Sequence, residues 1–146
     1  MIKTIYCLIG TFGIILLLNS CTTYHIPVES FRQQFEGLDS STYVYVVTRT
    51  PWGEKEKYKT FPIEYVRCVD KDGNSINLKN GPSLEIRFTD SNNRKSVFYF
   101  DRISVNDTVV TGIQSRILWI RKTIPINTIR KIEIQDGRKK YKYVNE

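Results

Sequence analysis

One histidine, His25, and three cysteines are all that this chain of 146 residues offers to soft-metal or nucleophilic chemistry. A four-ligand zinc site needs more donors than that once any thiol is committed elsewhere. Gly-x-Ser-x-Gly, a P-loop and a dinucleotide fingerprint are missing, which removes the nucleophile elbow and the usual phosphate cradles. Asp70-Lys71-Asp72-Gly73-Asn74 has the acids of a calcium loop, but its glycine stands fourth instead of sixth and no closing glutamate follows, so a hairpin turn accounts for it better. Glu54 and Glu56 flank Lys55 in a lysine-rich stretch that reads as a solvated strand or loop. No catalytic residue and no metal ligand is assigned. Past Leu18 no long hydrophobic run remains either.

What is present begins at the amino terminus. Lys3 gives a short positive region, and Ile5 to Leu18 is a run of fourteen uncharged residues loosened by Gly10 and Gly13. A stable membrane span needs about 18 or more. The run closes on Leu18-Asn19-Ser20-Cys21, with a small residue directly before the cysteine and leucine three before it. This stretch resembles the lipobox of bacterial lipoproteins. The resemblance implies cleavage between Ser20 and Cys21, a diacylglyceryl thioether on Cys21 and an acyl group on its new amino terminus. One acyl chain holds a protein marginally, whereas two or more, at about 0.8 kcal/mol per buried CH₂, hold it stably. An ordinary secretory signal or an uncleaved anchor would also take the chain out of the cytoplasm.

On that reading residues 1–20 are a signal peptide, 21–27 a polar lipidated tether ending in Pro27, and 28–146 a single domain. The tether and the β-rich body are similar in style to small uncharacterised lipoproteins of Bacteroides-like bacteria. The stretch Thr22-Thr23-Tyr24-His25 lacks the acidic cluster that such organisms associate with delivery to the surface, which implies a lipid-anchored, periplasm-facing position. Beyond the lipid no cofactor is implied. Cys7 leaves with the leader, Cys21 takes the lipid, and Cys68 is left with no disulfide partner. Between Val66 and Val69 it reads as a buried structural thiol, since a reactive one wants a basic or histidine neighbour.

Val28, Phe31, Phe35 and Leu38 recur at i, i+3, i+7 and i+10, with Pro27 and Gly37 as punctuation, predicting a short amphipathic helix over 28–36. Its polar residues Glu29, Arg32 and Glu36 are nearly balanced, which favours packing on the core over lying on a bilayer. After Asp39 the pattern is β. Thr42–Thr48 is aromatic and β-branched, and Pro51-Trp52-Gly53 turns it. Leu84–Phe88 alternates apolar and charged residues and turns through Ser91-Asn92-Asn93 towards Ser96–Phe100. Asp72-Gly73 joins Val66–Val69 to Ile76–Leu78 as a hairpin. Asp136-Gly137 predicts a second one, turning Ile132–Ile134 back into Lys140–Val144. The expected fold is mainly β: one antiparallel domain, a compact barrel or sandwich of about 7–9 strands, with one short N-terminal helix.

A weak internal repeat runs through this pattern. Thr60-Phe61-Pro62-Ile63 followed by Val66-Arg67 matches Thr123-Ile124-Pro125-Ile126 followed by Ile129-Arg130, and each continues to an Asp-Gly pair. Proline cannot donate to a ladder, so each copy breaks a strand and starts another. Duplication of a unit and convergence on a strand–turn–strand device both produce such a match.

Charge is distributed unevenly. Residues 21–115 balance, whereas 116–146 carries Arg116, Arg121, Lys122, Arg130, Lys131, Arg138, Lys139, Lys140 and Lys142 against Glu133, Asp136 and Glu146. On the predicted C-terminal hairpin Lys131, Lys140 and Lys142 would share one exposed face, with Arg138 and Lys139 at its turn. Such a face beside a membrane draws anionic headgroups or other anionic envelope polymers; a solvated strand edge blunted by lysine is the plainer reading. An exported protein rarely meets nucleic acid. The expectation is therefore a non-catalytic binding or structural module of the envelope, contacting an anionic component or a protein partner. The alternative is a small-ligand carrier or carboxylate-based envelope enzyme with a pocket lined by Tyr and Trp.

Overall fold

The computed structural model describes residues 22–145. Ser20 and Cys21, and with them the expected cleavage and lipidation sites, lie outside the described residues.

The strands follow from the alternation seen in the sequence. In β6 (Leu84–Asp90) Leu84, Ile86 and Phe88 point inward and Glu85 and Arg87 outward. Its neighbour β11 (Ile129–Asp136) buries Ile132 and Ile134, and sets Glu133 opposite Arg87, where the two form an ion pair at 3.6 Å. Twelve strands, all paired antiparallel, build three sheets among the described residues. The largest has the order β5-β4-β1-β11-β6-β7, with β1 Thr23–His25, β4 Tyr65–Val69, β5 Ser75–Lys79 and β7 Lys95–Tyr99. A second sheet has the order β10-β9-β8 (Arg121–Pro125, Val109–Ile113, Ile103–Val105), and a third the order β12-β2-β3 (Lys142–Val144, Val44–Arg49, Lys55–Thr60). The mainly β expectation holds, with twelve strands in place of 7–9 and no closed barrel among the described residues. The surplus comes from three-residue strands too short to show a period.

Helix α1 (Val28–Phe35) supplies the lid of the core. Phe31 and Phe35 stand one turn apart with ring centroids at 4.8 Å. Phe31 meets Phe88 edge-on at 5.4 Å, while Phe35 meets Phe61 at 4.9 Å and Phe61 meets Phe100 at 5.1 Å. Edge-to-face pairs of this kind add about 0.5–1.5 kcal/mol each beyond the area they bury. The stripe thus packs on the core, and the left-handed Gly37 (φ +74°) lets the chain leave the helix. Among the described residues no helix is long and apolar enough to cross a membrane.

Two sequence expectations are overturned. The segment 21–27 was expected as a tether, yet Thr23–His25 is a strand in the middle of the largest sheet, between β4 and β11. Ile26 is fully buried and its N–H donates to Ile132 O at 3.0 Å. Without β1 the facing edges of β4 and β11 would carry unpaired backbone groups. The C-terminal hairpin is also absent. Strand β11 has β1 on one side and β6 on the other, so it has no edge left for residues 140–144. Gly137 instead donates its N–H to Ser83 O at 2.9 Å, Arg138 takes the left-handed conformation (φ +51°), and the chain crosses to pair β12 with β2.

The other turns form as expected. Asp70 Oδ1 accepts the Asp72 and Asn74 N–H groups at 2.8 and 2.9 Å in the β4–β5 hairpin, where Gly73 has φ +84°. In the two copies of the internal repeat β3 ends at Thr60, two residues before Pro62, and β10 ends at Pro125, and the copies then open β4 and β11, the two strands that flank β1.

Candidate functional site

Six side chains from five segments converge where β7 leaves the large sheet. The 3-10 turn Phe100–Arg102 follows β7 and drives Asp101 inward, where it is 1 % exposed. Arg116, in the connection from β9 to β10, reaches it at 2.5 Å through Nη2, which also donates to Pro82 O at 2.9 Å. Asp101 Oδ2 accepts the hydroxyl of Tyr58, on β3, and that of Tyr143, on β12, the latter at 3.2 Å. Thr48, on β2, shares a hydrogen bond with the Tyr58 hydroxyl at 2.8 Å, and Thr60 Oγ1 donates to Asp101 O at 2.8 Å. Aromatic faces enclose the guanidinium of Arg116: Tyr99 lies 4.4 Å away and Tyr141 5.0 Å away. Arg102 stacks 3.2 Å above the Tyr58 ring and pairs with Glu56 at 2.5 Å.

Burial and neighbouring charge shift Arg116, Tyr58 and Tyr143 in this cluster. Burial works against the charge of Arg116, but the Asp101 carboxylate and the Tyr58 hydroxyl outweigh it and hold the guanidinium above its ordinary range. Burial, followed by the charge of Asp101, pushes the Tyr58 and Tyr143 hydroxyls up, so both stay donors. Tyr143 is part-exposed as a residue, but its hydroxyl end is the part that reaches inward. Arg116 occupies one carboxylate oxygen of Asp101, and the two phenol hydroxyls occupy the other. Asp101 thereby ties β3, β12 and the β9–β10 connection to the end of the large sheet.

That connection carries the most exposed apolar surface of the described chain. Ile117, Leu118, Trp119 and Ile120 are 46–71 % exposed, and Trp52, at the tip of the β2–β3 turn, is 68 % exposed. Gln114 N–H donates to Ile120 O at 2.8 Å and Leu118 N–H to Ser115 Oγ at 3.1 Å, so the loop is closed on itself, with Trp119 at φ +51°. Between the two tips lies a cleft of about 480 Å³, lined among others by Trp52, Glu54, Glu56, Arg116, Trp119 and Tyr141. A larger hollow of about 790 Å³ lies between α1 and the Ser104–Asp107 turn, away from the buried ion pair.

The basic residues singled out from the sequence are not brought together. Lys131 sits on β11 and pairs with Glu133 at 2.9 Å. Lys139 reaches Glu85 at 2.6 Å and the Tyr99 hydroxyl at 2.8 Å. Arg138 and Lys140 are exposed in the crossing segment, and Lys142 lies on β12 opposite Arg49. The shared face of Lys131, Lys140 and Lys142 is therefore replaced by two separate sites on two sheets. Arg116, counted in the sequence as surplus charge, is an internal partner of Asp101. The one signal for it was a charge on each side of apolar stretches, Phe98–Phe100 before Asp101 and Ile117–Ile120 after Arg116. Glu56 is half-buried against Arg102, not free in a solvated strand. Cys68 is 3 % exposed and unpaired, as expected.

No protein-family model, curated protein or solved structure matches the chain.

Proposed function

We propose that this chain is a lipid-anchored, non-catalytic module of a bacterial envelope, held at a membrane through Cys21 with its basic C-terminal residues beside the point of attachment. The observation that carries this reading is the pairing of Thr23 with Gln135. Three residues further on, the chain enters Arg138, Lys139 and Lys140. A lipid on Cys21 would leave one residue between the anchor and β1, so the end of the sheet would rest against the headgroups. The exposed cations Arg138 and Lys140 would then lie within a Debye length of about 8 Å of an anionic surface, where each contributes roughly 1 kcal/mol.

Mass spectrometry of the N-terminal peptide from membrane-extracted protein tests this directly. The expected peptide begins at Cys21 and carries diacylglycerol and an acyl group. An unmodified Cys21, or an intact bond between Ser20 and Cys21, overturns the reading. Crosslinking in cells then identifies what the module contacts.

A second reading, a small-ligand carrier, is favoured by the cleft of about 480 Å³ between Trp52 and Trp119. In that cleft Glu56 is committed to Arg102, which works against a carboxylate pair for catalysis. A small molecule released on denaturing the purified protein would support the carrier.

A further inference from the structure

We infer that the loop Ile117–Ile120, together with Trp52, docks into the headgroup layer of the membrane that holds the chain, so that the domain stands on two supports, its lipid and this loop. The inference rests on the lipid-anchor reading and adds a second membrane contact to it.

Strand registers place the loop at the end of the molecule where the described chain begins. Thr23 pairs with Gln135, and the next residue, Asp136, pairs with Leu84 at the start of β6. Beside them Tyr99 closes β7 opposite Glu85. From Tyr99 the chain passes through Asp101 into β8, and Ile103 pairs with Gly112 near the end of β9. The loop leaves β9 at that end and returns through Arg121, which pairs with Ile113. Arg116 closes the circuit by donating to Pro82 O, two residues before Leu84. The described chain thus begins on the side of the domain where the loop protrudes.

The chemistry of the surface fits a bilayer interface. Four consecutive large apolar side chains exposed in one short loop form a patch, unlike the scattered exposed hydrophobics of any soluble surface. Both tryptophans of the chain belong to it, and tryptophan prefers the headgroup level, where its ring is half apolar and half polar. Exposed cations border the patch: Arg121 and Lys122 directly after the loop, Lys55 three residues after Trp52, and Lys142 at the start of β12 opposite Arg49. Glu54 is the exposed acid among them, and Glu56 is neutralised by Arg102. An apolar tip ringed by positive charge complements anionic lipid. The loop is also held in place from within, because Arg116, directly before Ile117, is fixed by Asp101 and the tyrosine rings.

Because Trp52 and Trp119 are the only tryptophans, the protein reports its own docking. The full chain is reconstituted into vesicles of phosphatidylethanolamine and phosphatidylglycerol with or without bromine on the upper acyl chain, as the Trp52→Phe and Trp119→Phe variants, so that one tryptophan is read at a time. The expected result is loss of Trp119 emission, and a smaller loss for Trp52, only in brominated vesicles. Leu118→Asp, at a position 71 % exposed, should restore Trp119 emission while leaving the thermal midpoint unchanged. Undiminished emission from a sample whose Cys21 carries lipid overturns the docking loop and leaves the anchor standing. An unmodified Cys21 overturns the anchor reading; quenching of Trp119 in that same sample still supports the loop, and its absence overturns both.

Discussion

Arg116 and Asp101 meet at 2.5 Å with side chains 3 % and 0 % exposed, fifteen residues apart in sequence. Removing one partner of such a pair leaves the other charge bare in a low-dielectric site, a loss of about 3–5 kcal/mol. Arg116→Met should therefore lower stability to urea by that order. Arg116→Met combined with Asp101→Asn, which keeps an acceptor for the Tyr58 and Tyr143 hydroxyls, should recover part of the loss, because neither residue is then a lone charge. Equal destabilisation by the single and double variants would show that the pair does not hold the loop and strands together as a unit.

Gly112 has its backbone against the ring of Phe98: a Cβ there would lie 2.5 Å from Phe98 Cγ and 2.8 Å from Cδ1. Phe98 is itself fully buried between the large sheet and β9, so the ring has little room to retreat. Gly112→Ala should cost about 1–3 kcal/mol, the usual range for overpacking. Thermal melts check it, and Phe98→Leu in the Gly112→Ala background should return part of the lost midpoint. A Gly112→Ala protein as stable as the parent would mean that β9 shifts freely against β7.

The elements legible in the sequence were those that carry their own local signal. Strands β6 and β7 and the β4–β5 hairpin announce themselves through alternation and a turn residue that must adopt positive φ, such as Gly73. Strand β1 does not: three residues cannot display a period, and Thr23–His25 is a strand only because β4 and β11 leave a gap of its width. The Asp136-Gly137 pair misleads for a related reason. It matches Asp72-Gly73 in sequence, but Gly137 is set by its close approach to Ser83 and Glu85, where a Cβ would come within 2.9 Å, and not by a positive φ. Arg116 was invisible as a core residue because a charge count carries no information about partners, and no spacing rule links it to Asp101. The exposed loop Ile117–Ile120 hid in the same way, since an apolar run reads as buried until its neighbours are known.

Cys68 lies among apolar side chains with its Sγ–H directed at Ile76 O at 3.5 Å, and burial pushes its thiol pKa up. Both effects keep it from the thiolate form that reacts. A disulfide reagent should leave the native protein unmodified near neutral pH and titrate Cys68 after unfolding in urea. Rapid modification of the native protein would require the β4–β5 hairpin to open on the timescale of the reagent.

Three turn carboxylates contribute to the response to acid. The Asn74 side chain, then its backbone N–H, holds the Asp70 carboxyl below its ordinary value of 3.8. The Arg94 backbone N–H does the same for Asp90, which also accepts Arg94 Nε at 2.9 Å. Ser41, through hydroxyl and N–H, does so for Asp39. A carboxyl whose folded value is depressed binds its proton more readily in the unfolded chain. Its contribution is therefore present above 3.8 and lost as pH falls through the lower folded value. Denaturation midpoints should stay level from neutrality down to about pH 5 with respect to these groups, then decline as pH falls below the ordinary carboxylate value of 3.8. Asp90→Asn keeps an acceptor for the Asn92 and Arg94 N–H groups but carries no titratable proton. It should start from a lower stability at neutral pH and decline less steeply in acid. The same acid slope in Asp90→Asn and the parent would mean that protonation of the β6–β7 turn is not coupled to unfolding.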